Sequence, residues 1–352
     1  MVDTSRCRIE CFVDDPLMIQ VGGPAERRRR MLMIVCWWCA LRSNLSWQKM
    51  SRGTSIDWIG ARLQVDIVKR QAVVTLPAKK LQQLRDETTV LLRSSRGMCF
   101  AVPLRALAGL GGWIGSMIPQ VRPFVRRLWA ALAAPRAPGK LELVFVSQIR
   151  LALEWLLAFG AANAAAPISR VIFAFERHHI VLTIEADASP FGGGAVLWWG
   201  PPQGRRHRWP ASWVACTWTP ADAELMACPL ESPDGQARWE AFMMILALRQ
   251  WMQKGLRGRV CVIGDAEGIL GALTRLRSAD EVVNLMAMEL ALWIAPRGLA
   301  LEGVHIWGEE NAVADKLSRL SQGARVPQQL QEIQRGNLLP RGKGVWKFIG
   351  NR

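Results

Sequence analysis

The sequence contains no tyrosine among its 352 residues and only four histidines. Any mechanism that needs a tyrosine nucleophile is therefore excluded. Long apolar runs are also missing. The stretch Met31–Ala40, behind Arg27–Arg30, is ten residues long, about half of the ~20 needed to span a bilayer. A soluble protein without a membrane partner is expected, cytoplasmic or nuclear and not secreted. The eight cysteines supply one C-x-x-C, Cys36 and Cys39, with Trp37 and Trp38 between them and no second pair at zinc-site spacing. Reduced buried thiols fit this better than a metal or redox centre. Acidic residues are in the minority, 29 against 45 Lys and Arg, for a net charge of +16. Such an excess implies a polyanion partner, nucleic acid before an anionic membrane surface.

Half of the residues are hydrophobic, so the chain is no disordered polypeptide, and its length suits about two to three domains. The charge is unevenly laid out. Residues 1–180 carry 26 Lys and Arg against 12 Asp and Glu, residues 181–320 carry 13 against 16, and residues 321–352 carry 6 against 1. An acidic segment thus lies between basic flanks, as suits a cation-holding domain whose neighbours grip phosphates. Arg27–Arg30 reads as a solvated charge run rather than a localisation signal.

Residues 1–75 mix short apolar runs with charge. Residues 77–135 read as helical: Pro77 suits a first helical turn, and Leu81, Leu84, Leu91 and Leu92 follow helical spacing. Residues 134–140 read as a linker and 141–165 as helix again. From Val171 the character changes. Strands are expected at 179–189, 194–200 and 208–218, then an amphipathic helix over 236–254, a buried strand over 259–265, and helices near 266–276 and 281–295. A strand at 299–307 and a helix opening at 311–320 complete the order βββαβααβα.

Four carboxylates stand out in this pattern. Asp187 and Asp265 end hydrophobic strands; Glu240 and Asp315 sit near helix starts. A carboxylate at a helix start is commonly a cap or dipole partner. One at the end of a run such as "VCVIGD" is costly to half-bury without a partner. Together, two strand ends and two helix starts can converge on one sheet edge. Several convergent carboxylates are what two-metal phosphodiester hydrolysis requires, with the cations ~4 Å apart, and hard oxygen ligands select Mg²⁺, or Mn²⁺, over softer metals.

These motifs resemble the ribonuclease H domain of LTR- and DIRS-type retroelements. "DAS-x-x-GGGAVL" (187–197) resembles the first strand pair, "WEAFMMILAL" (239–248) the glutamate helix, "IGDAEGIL" (263–270) the second aspartate strand, and "HIWGEENAVADKLSR" (305–319) the closing signature. The set covers about 140 residues, with four motifs in order. The resemblance implies that Asp187, Glu240, Asp265 and Asp315 bind the metals, and that His305 helps to release product; a strand-end histidine with a satisfied hydrogen bond is the competing reading. One departure is the 53-residue interval from Asp187 to Glu240, with a Pro- and Trp-rich insertion that includes "GRRHRW" (204–209).

The first 130 residues resemble the end of a reverse transcriptase. "FVDDP" (12–16) resembles the palm hairpin with Asp14 and Asp15, "LSWQKMSRGTSIDWIG" (45–60) the stretch to the primer grip, and "LPAKKLQQL" (76–84) with "LAGLGGWIGSMIPQVRPFVRRLWAAL" (107–132) the thumb and connection. Only eleven residues precede Phe12; the chain resembles a fragment that begins midway through the palm, and polymerase activity is not expected of it unless a missing half is supplied in trans. The expected class is α/β: a ribonuclease H-like mixed five-stranded sheet flanked by helices (178–322), after a partial palm (1–75) and a helical thumb/connection (76–177), and before a basic tail (323–352). The expected function is metal-dependent cleavage of the RNA strand of RNA–DNA hybrids; the alternatives are an inactive relic that binds nucleic acid, and a transposase or integrase. The last usually places its glutamate on a late helix, whereas here Glu240 is second of four.

Overall fold

The computed structural model describes residues 7–12, 15–43, 46–69, 71–94, 97–134, 143–160, 168–173, 182–200, 208–253 and 258–351. The chain divides into two compact units, one of residues 1–77 with 172–175, the other of residues 78–171 with 176–352.

In the first unit β1 (Cys7–Phe12) pairs antiparallel with β2 (Asp15–Gln20), Phe12 opposite Asp15. Asp15 opens β2, and Asp14 lies outside the described residues. The helix α1 (Pro24–Ala40) contains the Arg27–Arg30 run and buries none of its residues. β3 (Ser55–Trp58), β4 (Ala61–Asp66) and β5 (Gln71–Thr75) form an antiparallel meander.

The second unit opens with α2 (Ala78–Leu92), β6 (Met98–Phe100), α3 (Ala101–Met117), α4 (Arg122–Ala133), β7 (Leu143–Phe145) and α5 (Val146–Phe159). The short strands β6 and β7 lie where the sequence pattern predicts helix; each directly precedes one, and they pair antiparallel with Met98 opposite Phe145. β8 (Ser169–Phe173), whose residues 172–173 belong to the first unit, is the fourth strand of that unit's sheet, in the order β3-β4-β5-β8. Next come β9 (Leu182–Ser189), β10 (Gly192–Trp199) and β11 (Trp209–Thr217), then α6 (Pro220–Met226), α7 (Gln236–Met252), β12 (Arg259–Gly264), α8 (Glu267–Thr274), α9 (Glu281–Ile294), β13 (Ala300–His305) and α10 (Ala312–Ser318). The sheet order is β11-β10-β9-β12-β13, antiparallel across the first three strands and parallel from β9 to β12 to β13. Parallel neighbours require long crossovers, which α6–α7 and α8–α9 supply.

Two helices differ from expectation. α6 lies inside the insertion, where the sequence pattern predicts none. Thr219 caps it, with a capping box to Asp222 and Pro220 in the first turn. α7 is not amphipathic but nearly engulfed, with 13 of its 17 residues buried. One face meets the sheet. On the others Trp218 stacks on Trp239 at 4.8 Å and Trp346 packs on Phe242 at 5.8 Å. α10 lies close on β10 because Gly194 has no side chain: a Cβ there would sit 2.3 Å from Leu317.

The last 30 residues form a strap. Trp213 Nε1 donates to the Ile333 carbonyl, Leu339 N donates to Gln250 Oε1, and Arg341 binds the Asp222 carboxylate at 2.9 Å. Phe348 reaches Phe124 and Trp155, and its backbone N–H donates to the buried Glu289 carboxylate. The strap's cations cover indoles: Arg335 lies over Trp213, Arg341 over Trp218 and Lys347 over Trp155. Trp346→Ala should therefore lose about 3–5 kcal/mol of stability, as for a large buried aromatic, measured by urea denaturation. A loss within about 0.5 kcal/mol would show that the strap merely rests on the surface.

Candidate active site

The carboxylates meet where the sheet changes direction. Asp187 lies near the carboxyl end of β9, and Asp265 is the first residue after β12. The parallel register sets Ile263 beside Glu185 and Gly264 beside His305, so these strand ends open on one edge. In open α/β sheets, ligand sites form at this kind of edge. Glu240 reaches the same point from the second turn of α7. One carboxylate oxygen from each of Asp187, Glu240 and Asp265 falls within 4.8 Å of the others.

Each is held by neutral donors. Asn311, fully buried at the start of α10, donates through Nδ2 to Asp187 Oδ1 at 3.1 Å and Asp265 Oδ1 at 3.5 Å. Gln236, one helical turn before Glu240, donates to Glu240 Oε1 at 2.8 Å and to the Ala188 carbonyl at 2.6 Å. The Ala188 backbone N–H donates to Glu240 Oε2 at 3.2 Å. Neither Asn311 nor Gln236 stands out in the sequence. Their signal is spacing, four residues before Asp315 and Glu240 respectively, which places each on the same helix side as its acid.

The other two expected residues lie at the border. Asp315 is outside the three-carboxylate cluster; its Oδ1 accepts from Arg319 Nε at 2.8 Å. His305 is exposed at the end of β13, with Nε2 3.1 Å from the Asp265 carbonyl and its ring edge-on to Trp307.

Burial pushes the Asp187 carboxyl up to about 7; the charges of Asp265 and Asp315 add to this, and the Ser318 hydroxyl and Arg319 oppose it. Burial, then the charges of Asp187 and Asp265, hold Glu240 well above its ordinary value. No Lys or Arg among the described residues is ion-paired to any of the three. Clustered hard oxygens with this uncompensated charge fit a divalent, oxygen-preferring cation, and Asp187, Glu240 and Asp265 can hold one.

No protein-family profile matches the sequence, nor does any curated protein. Solved structures align with it at low similarity. A foamy viral protease-reverse transcriptase in complex with double-stranded DNA aligns over 85% of this chain and 46% of its own, at 13% identity and TM-score 0.35. LC9-RNase H1 aligns over 42% of this chain and 74% of its own, at 21% identity and TM-score 0.28. RNase H1 from Halobacterium salinarum NRC-1 aligns over 41% and 97%, at 14% identity and TM-score 0.28. The chain spans less than half of the foamy viral protein's length. The described residues of the second unit build a five-stranded mixed sheet flanked by helices. Among the described residues no helix is long and apolar enough to cross a membrane.

The raised carboxyls have a consequence for stability. The folded protein retains protons that the unfolded chain releases above 3.8, so native stability without metal should fall as pH rises from about 4 to about 7, by at most about 1.4 kcal/mol per pH unit for each carboxyl. Thermal melts in EDTA should show this fall, Asp187→Asn should flatten it, and Mg²⁺ should offset it above pH 7 by binding only the native state. A pH-independent melt would mean that these groups are solvated.

Proposed function

We propose that this chain is a metal-dependent endonuclease that cleaves the RNA strand of RNA–DNA hybrids, the ribonuclease H portion of an LTR- or DIRS-type retroelement reverse transcriptase. The observation that carries this reading is the convergence of Asp187, Glu240 and Asp265 within 4.8 Å at the strand ends, with no Lys or Arg among the described residues ion-paired to them. Asp187, Glu240, Asp265 and Asp315 are assigned as the ligands of Mg²⁺, with Mn²⁺ as a substitute. Bound there, the cations supply an activated water and offset charge on the leaving oxygen.

The chain's own residues prepare that chemistry. Asn311 fixes Asp187 and Asp265 relative to each other, and Gln236 with the Ala188 N–H orients Glu240, so three acids from separate elements present their oxygens to one point. Arg319 holds Asp315 at the border of the cluster. His305 is assigned to product release, which requires its contact with the Asp265 carbonyl to break. Residues 1–75 and 76–177 are assigned as a partial palm and a thumb/connection, with Asp14 and Asp15 as palm remnants and a missing polymerase half as partner.

A purified chain given a labelled hybrid and Mg²⁺ should cut only the RNA strand and leave 5′-phosphate and 3′-hydroxyl ends. Asp187→Asn should lower the rate at least roughly a thousandfold, the order of effect for a group that acts on transition-state charge. His305→Ala should slow multiple turnover more than a single turnover. Comparable turnover by Asp187→Asn would sink the assignment. A folded chain that binds the hybrid without cutting it would be a relic binding protein.

A further inference from the structure

A group of arginines around the C-terminal end of α8 has no part in the proposed chemistry. Arg122 opens α4 and is partly buried; its Nε donates to the Gly115 carbonyl at 2.6 Å and its Nη1 to the Arg275 carbonyl at 3.2 Å. Gly115 makes room for it, since a Cβ there would lie 3.0 Å from Arg122 Cγ. Two of five guanidinium donors are thereby used, and the rest have no acceptor among the described residues. Burial, then the charges of Arg170, Arg277 and Arg275, hold the Arg122 guanidinium below its ordinary value. Arg170, on β8, is likewise depressed by burial. None of the four has an ion-pair partner among the described residues.

The loop that contributes two of them is built against its own preference. Leu276, between Arg275 and Arg277, is 1% exposed and has φ 52°. A left-handed leucine costs about 1–2 kcal/mol. Arg277 N donates to the Ala272 carbonyl and Leu276 N to that of Leu273, closing the end of α8 around the anchored leucine. Arg275 and Arg277 are left exposed on either side of it. Four like charges gathered from α4, β8 and one strained turn repel one another, and an anion between them would relieve that repulsion.

We propose that Arg122, Arg170, Arg275 and Arg277 form a subsite for the phosphate backbone of the nucleic acid, separate from the carboxylate site and joined to it by α8. The eight residues of α8 span about 12 Å, which is roughly three to four steps of 3.4 Å along a strand. The subsite therefore grips the substrate a few nucleotides from the point of cleavage. It positions the hybrid without reading its sequence.

The proposal rests on the nuclease reading for its substrate, but its test does not need cleavage. A labelled 16-base-pair RNA–DNA hybrid would be titrated in EDTA, followed by anisotropy, between 50 and 200 mM KCl. Arg275→Ser/Arg277→Ser should weaken binding about tenfold and make the slope of log K against log salt shallower by about one to two, near 0.9 for each phosphate no longer neutralised. Arg275→Lys/Arg277→Lys should keep most of the slope. The charge-matched control Arg93→Ser/Arg105→Ser, on exposed positions of the same unit, should change it little. With Mg²⁺, the serine variant should raise KM and leave the saturated rate unchanged. An unchanged slope, or an equal loss in the control, would overturn the subsite. Failure of the wild-type chain to cleave while the slope still responds would overturn the nuclease and leave the subsite standing.

Discussion

Mutual repulsion among Asp187, Glu240 and Asp265 is the constraint on which the rest of the domain depends. Three acids from two strands and a helix have oxygens within 4.8 Å, in a place where burial already disfavours their charge. A flexible scaffold would let them part. Here the β9 and β12 registers, the seating of α7 and the amide of Asn311 each fix one relation among them. Protons relieve this repulsion, which the raised carboxyls reflect, and a bound divalent cation would relieve it at all three acids at once.

That demand explains the unusual burial of α7. A surface helix tied down along one stripe could slide by a fraction of a turn and withdraw Glu240. α7 instead is packed on nearly every side, by the sheet, α9, Trp218 and the C-terminal strap. The strap is fixed at both ends, near β11 through Trp213 and near α9 through Glu289. Its arginines and lysine are laid on tryptophans and carboxylates along this path, so much of the basic charge near the chain end stabilises the fold rather than facing a ligand.

The elements of the sheet are legible in the sequence because strands such as "VCVIG" and helices with capped starts follow local rules. The four acids stand out for the same reason, and three of them do meet. What is not legible comes from tertiary packing. α7 carries apolar residues on one face and polar Gln250 on another, which reads as amphipathic until the strap covers it. β6 and β7 are three residues each and pair across the whole of α3 and α4, beyond any local pattern. α6 is the exception: the run Thr219-Pro-Ala-Asp222 contains a full capping box, and its signal is obscured by the Pro- and Trp-rich insertion around it. Asn311 lies inside the closing motif at 305–319, but an amide that bridges two carboxylates has no sequence signature apart from its spacing.

Several acidic residues of the domain contrast with the cluster at the strand ends. Glu185 lies on the same face of β9 as Asp187 and is more deeply buried, yet Arg208 stands 3.5 Å from it. Glu302 is paired with Arg259, Asp280 with Arg238 and Asp222 with Arg341. Each of these carboxylates is matched by a guanidinium, adds almost nothing to the net field, and serves to tie one element to another. At the strand ends Asp187, Glu240 and Asp265 instead have amide partners. An amide can orient a carboxylate without opposing its charge, so the acids at the ends of β9 and β12 are left to be neutralised by a proton or a cation rather than by a neighbouring guanidinium. The contrast between arginine partners and amide partners therefore marks the ends of β9 and β12 as the place where buried acidic charge has no guanidinium against it among the described residues, and this mark is read from the geometry alone.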